Sequence, residues 1–136
     1  MVEALIDALL PRPMGAEGRL FEAMPFDNKF ALVRVSGKHI RRLLTSNLER
    51  SGGILSWGGL TAAARCKDGK LTTEIEVRGK PLTEDATYTI VTSDFLASGG
   101  DGLFGRRHLP DGAIQMTEQV IRDAMAEVVR KRGGTI

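Results

Sequence analysis

The sequence predicts an α+β fold, a single domain in which a mixed β-sheet packs with helices. Three observations carry that expectation. Residues 30–35 are apolar at nearly every position, as in a strand covered on two sides. Residues 38–50 bring Ile40, Leu43, Leu44 and Leu48 to helical spacing. An Asp68-Gly69 step separates two strand-like runs, and no regular strand–helix–strand repeat organises the rest.

The bulk properties agree with one domain spanning 1–136. A chain of 136 residues can bury a hydrophobic core, and 42% hydrophobic with 26% charged residues is a globular composition. The net charge of +2 is small, and no basic run is interleaved with aromatics, so no nucleic-acid partner is expected. Cys66 is the only cysteine, which excludes an internal disulfide. No apolar run approaches the roughly 18 residues of a membrane span. Glu3 and Asp7 lie where a signal peptide would carry base, so no signal peptide is expected in this chain and the compartment stays open.

Along the chain, residues 2–10 read as a short helix or a strand, ended by Pro11 and Pro13. Gly15 and Gly18 loosen the next stretch, and residues 19–24 predict a short helix stopping before Pro25. The strand at 30–35 is followed by the helix at 38–50, with Arg41, Arg42 and Glu49 facing away and Gly52-Gly53 closing it. Residues 60–66 and 71–78 form a hairpin about Asp68-Gly69; Ile75 and Val77 alternate with Glu74, Glu76 and Arg78, so one face is wet. Gly79-Lys80-Pro81 turns the chain toward a strand at 87–92. Residues 117–131 predict an amphipathic helix with Val120, Ile121, Ala124 and Val128 inward, Glu118 near its start and Arg130, Lys131 and Arg132 at its end.

Absences decide most of the chemistry. His39, on the polar side of a predicted helix, and His108, after Arg106-Arg107, belong to no metal-ligand spacing and read as surface histidines. Cys66 has no histidine near it in sequence and reads as a small buried hydrophobe. Gly99-Gly100-Asp101-Gly102 is neither a Walker loop, which needs a following Lys-Ser/Thr, nor G-x-G-x-x-G. The chain carries no visible catalytic engine and suits the holding of a ligand.

Two segments could do the holding. Residues 94–104, Asp-Phe-Leu-Ala-Ser-Gly-Gly-Asp-Gly-Leu-Phe, follow a predicted strand, and place Phe95 six residues before Asp101 with glycines on both sides of the acid. Such a turn can present a stacking surface and a hydroxyl acceptor together at a sheet end, where ligand sites gather. In Met24-Pro25-Phe26-Asp27-Asn28, Pro25 stiffens the backbone before Phe26, and Asn28 can orient the strand entry. Core roles for Phe26, Phe95 and Phe104 fit the residues equally, so both readings stay open on this ground.

Residues 20–28 and 33–37 with the helix after them, then 79–82, 88–92 and the 94–104 loop, run in order over roughly residues 19–132. In that order they resemble the 5′-nucleotidase C-terminal domain family. In that family the domain recognises the substrate, and a separate N-terminal metallophosphoesterase domain carries two divalent metals and the hydrolytic chemistry. By motif position the resemblance implies Phe26 and Phe95 as a clamp on the nucleobase and Asp101 as the ribose ligand. Asn28 and Gly100 in the same two loops complete the expected substrate-binding set.

The edge 1–18 diverges. Where the family has Asn-Gly-Gly-Gly-x-Arg, this chain has Asp7-Ala8-Leu9-Leu10-Pro11-Arg12. Arg12 keeps the register of a phosphate ligand, but the lost glycines remove close backbone approach, and an acid is a poor neighbour for phosphate. The resemblance thus implies a nucleotide-recognition domain of a 5′-nucleotidase-like hydrolase, with no metal or cofactor on this chain and none of its own catalysis. The expected partners are a nucleoside or nucleotide and the metallophosphoesterase domain, in the periplasm or secreted. The alternative is a stand-alone, non-catalytic nucleotide-binding or regulatory domain.

Overall fold

The computed structural model describes residues 16–49, 55–104 and 109–133. Helix α1 is Ala16–Ala23, strand β1 Lys29–Ser36, helix α2 Gly37–Glu49, and strands β2 and β3 are Leu60–Lys67 and Lys70–Val77. A two-residue β4, Lys80–Pro81, precedes β5, Thr87–Ser93. The short helix α3, Asp94–Ala97, and a 3₁₀ turn at Gly100–Gly102 follow, then β6, Ile114–Val120, and helix α4, Ile121–Lys131. The class is α+β, as the sequence predicts. The described strands pair only antiparallel, in two three-stranded sheets ordered β5-β1-β6 and β2-β3-β4, where the sequence suggested one mixed sheet. Two-residue turns at Asp68-Gly69 and Arg78-Gly79 account for this in the second sheet, since a tight hairpin can only return antiparallel.

Strand β1 is central in the first sheet. Ala31, Val33 and Val35 point to one face and are buried, whereas Phe30 and Leu32 are half-buried and Arg34 is exposed, donating to the Gly112 carbonyl at 3.1 Å. The strand is therefore covered on one face, not two, and its apolar outer residues are shielded only partly. Helix α2 supplies Ile40, Leu43 and Leu44 to the core, which also takes Ile75 of β3, Leu82, Ala97 and Phe104. This helix thus bridges the two sheets. Ser36 caps it, its Oγ accepting from the His39 N–H at 3.2 Å. Leu48, expected inward, is exposed one residue before the helix ends.

Four further expectations change. Residues 117–120 are strand, not helix. They extend β6, whose Ile114, Gln115 and Met116 pair with Val33, Leu32 and Ala31. The open edge of β1 needs hydrogen-bond partners for its N–H and C=O groups, and that requirement outweighs helical periodicity in a short window. Glu118 accordingly bonds Lys29 across the sheet, a contact that raises the Lys29 pKa first by hydrogen bonding and then by charge. In α4 the buried position is Arg122, while Val128 is exposed.

His39 is buried, its ring parallel to Phe104 at 6.4 Å between centroids and its Nδ1 3.3 Å from Arg42 Nη2. Cys66 is exposed, because the outer part of β2 has no layer over either face. The expectations for residues 2–10, Pro11, Pro13, Gly15, Gly52-Gly53 and His108 lie outside the described residues.

Candidate functional site

The register of the first sheet brings the two candidate loops together. Phe30 pairs with Ser93 and Lys29 with Val120, so the start of β1 and the ends of β5 and β6 share one end of the sheet. The 24–28 loop enters there, α3 leaves from β5 there, and α4 leaves from β6 there. Phe26 and Phe95 therefore stand at the same sheet end, and both are exposed, at 71% and 54%. A buried-core role for either ring is excluded. Phe104, open between the two readings in sequence, is core at 4% exposure.

Phe95 stands where it does for local reasons. Ser93 caps α3, its Oγ accepting from the Leu96 N–H at 3.2 Å, and Asp94 Oδ1 accepts from the Phe95 N–H at 2.8 Å. The chain then doubles back through Ser98 N–H to Asp94 O at 2.9 Å and Gly99 N–H to Leu96 O at 3.0 Å. That return lays Gly100 against the Phe95 ring. A Cβ on Gly100 would fall 2.5–2.7 Å from three ring carbons, so glycine is what lets the ring lie there. Asp101 follows in the left-handed region at φ 55, a conformation Asp tolerates better than most residues, and it is exposed.

Phe26 is held differently. Arg122, 8% exposed, donates from Nη1 to the Met24 carbonyl at 3.2 Å and from Nη2 to the Asp27 carboxylate. Its guanidinium lies 3.8 Å from the centroid of the Phe21 ring. The Asn28 carbonyl accepts from the Ile121 N–H at 2.9 Å, while the side chain of Asn28 is half-buried at the strand entry. Arg122 escaped the sequence reading because a lone arginine inside an amphipathic helix looks like a solvated charge. Nothing local in the sequence marks it, because its partners Met24 and Asp27 lie almost a hundred residues away.

A separate cavity of about 370 Å³ is lined by Ile40, Trp57, Tyr88, Leu96 and Phe104 among others. It includes none of Phe26, Phe95 and Asp101, which are instead exposed in the loops at the sheet end. Arg12 lies outside the described residues.

Because Gly100 has a backbone that alanine can adopt, Gly100→Ala is expected to leave the fold intact and displace the Phe95 ring. Thermal melting should move by no more than about 0.5 kcal/mol equivalent, as for surface substitutions generally. The Phe95 ring protons should shift in NMR spectra relative to the parent. Ring protons that stay unshifted would contradict the packing role.

The fold is an α+β domain with two exposed rings and an acid in the loops at one sheet end. The chain belongs to the family described as 5′-nucleotidase, C-terminal domain, whose model matches residues 16–106. Protein UshA of Yersinia enterocolitica is 28% identical over 86 residues, 61% of this chain and 15% of that protein. The trifunctional nucleotide phosphoesterase protein YfkN of Bacillus subtilis is 29% identical over 96 residues, 62% of this chain and 7% of that protein. The 5′-nucleotidase precursor of Thermus thermophilus shares the fold at a TM-score of 0.70 and 24% identity, covering 85% of this chain and 25% of that one. NAD nucleotidase of Haemophilus influenzae does so at 0.64 and 18%, covering 86% and 25%. The chain thus spans only a small part of each relative. Among the described residues, no helix is long and apolar enough to cross a membrane.

Proposed function

We propose that this domain recognises a nucleoside or nucleoside 5′-phosphate on behalf of a 5′-nucleotidase-like hydrolase. Phe26 and Phe95 clamp the base, and Asp101 accepts hydrogen bonds from the ribose hydroxyls. The observation that carries the reading is the pair of exposed phenylalanines at one end of one sheet. Leaving such a ring in water forgoes about 1.5–3 kcal/mol of burial, and a planar ligand slid between two rings recovers that contact. The left-handed φ of Asp101, six residues after Phe95, fits the habit of binding residues to sit in sparsely populated backbone regions.

An ionised carboxylate suits a vicinal diol, since charge-assisted hydrogen bonds are the strong ones. Gly100 seats the Phe95 ring, and Asn28 anchors the strand behind Phe26. Arg12 is the phosphate ligand in this reading, on its register alone. The names of the relatives, nucleotide phosphoesterase, 5′-nucleotidase and NAD nucleotidase, support the ligand class.

The hydrolytic step belongs to a metallophosphoesterase domain outside this chain, which would supply metal-activated water to the presented phosphate. Among the described residues no three His, Cys, Asp or Glu side chains group as a cation site requires. Titrating the chain with adenosine and with AMP in a calorimeter tests the reading, and saturable binding of both is expected. Absence of heat at millimolar ligand would overturn it. The same chain, given AMP and divalent metal, is expected to release no phosphate, and robust turnover would sink the division of labour.

A further inference from the structure

The backbone between α1 and β1 carries Phe26 into solvent, and neither helix nor strand hydrogen bonds fix its tip. What fixes it comes from α4, almost a hundred residues later in the chain. One guanidinium donates to the Met24 carbonyl, before Pro25 and Phe26, and to the Asp27 carboxylate immediately after them. Both sides of the exposed ring are thus gripped by a single planar group. That group is itself immobilised, being 8% exposed with Phe21 against its face at 3.8 Å from the ring centroid. Burying an arginine is costly unless its charge is met. Here Asp27 and the Phe21 ring meet it, and Asp27, with an otherwise solvent-exposed side chain, is drawn into one position. The neighbouring Ile121 N–H adds a third tie at the Asn28 carbonyl.

We infer that Arg122 is the positioning residue for Phe26: its buried guanidinium, bridging Met24 and Asp27, sets where the ring stands and so determines the gap of the base clamp. The consequence for ligand binding rests on the clamp reading above; the consequence for the loop does not. Arg122 also lies beyond residue 106, where the family match ends, so the site depends on a helix outside the matched segment. Lysine at this position keeps the charge but lacks the planar fork, and reaches one acceptor at a time.

The test uses the full chain with Arg122→Lys, Phe26→Ala and the double variant, each with two readouts. Adenosine affinity by calorimetry should fall about five- to tenfold in Arg122→Lys, the loss of one charge-assisted bond. In the Phe26→Ala background the same change should cost less than about twofold, because its effect runs through the missing ring. Without ligand, amide ¹⁵N relaxation should show order parameters at Phe26 and Asp27 dropping from about 0.85 toward 0.6, with α4 unchanged.

An equal affinity loss in both backgrounds would reduce Arg122 to a purely structural role. Amides that stay rigid in Arg122→Lys would overturn the inference outright. If the parent binds no adenosine, the base clamp fails, and the relaxation readout alone decides the case for Arg122. Should Arg122→Lys not fold, Asp27→Asn weakens the same grip from the exposed side and is read the same way.

Discussion

With the base clamped as proposed, Phe95→Ala should weaken adenosine binding about 5- to 150-fold, the 1–3 kcal/mol of one stacking face converted at 1.4 kcal/mol per tenfold. The direction follows from where the ring stands. It is 54% exposed and seated on Gly100, so removing it leaves the core untouched and deletes one face of the proposed clamp. Melting temperature should barely change, which separates lost recognition from lost fold. The identity of the ligand sharpens the experiment. Free adenine should lose affinity by the same factor as adenosine, since stacking acts on the base.

Asp101→Ala should behave in the opposite way, weakening adenosine about tenfold or more through a lost charge-assisted bond while leaving adenine unaffected. For 2′,3′-dideoxyadenosine, parent and Asp101→Ala should bind alike. If both variants bind adenosine like the parent, neither residue contacts it and the clamp is wrong.

Leu43→Ala should cost about 2–5 kcal/mol of stability, the range for truncating a leucine that cannot be replaced by collapse. Leu43 sits mid-helix in α2, where one face meets Val33 and Val35 of the first sheet and Ile75 of the second in a single core cluster. A cavity there loosens the link between the two sheets, so the effect should be global. Against a typical 5–15 kcal/mol total, the melting temperature should fall by roughly 10 °C, followed by circular dichroism or calorimetry. A cost below about 1 kcal/mol would mean that α2 does not hold the sheets together.

The sequence was a good guide where local rules act alone. The Asp68-Gly69 turn, with both residues at positive φ, forces the hairpin wherever the rest of the chain lies. The spacing of Ile40, Leu43 and Leu44 needs only a helix and something apolar to face. It misled where a distant partner overrides the local pattern. Residues 114–120 became a strand because β1 had an edge to fill, and His39 became buried because Phe104 returned over it. Cys66 became exposed because no layer covered the end of its hairpin.

The candidate site divides along the same line. Which residues could bind was legible in the chain: aromatic rings beside proline and glycine, an acid in a tight turn, and their order along a recognisable family pattern. Each is a property of a few neighbouring residues, and short-range chemistry is what a sequence writes directly. That Phe26 and Phe95 face solvent at one sheet end was decided by the antiparallel register of β1 with β5. That Arg122 governs the Phe26 loop was decided by β6 delivering α4 to the same end. Contacts between residues so far apart depend on how sheets pair and where helices emerge from them, and that information exists only once the chain has folded.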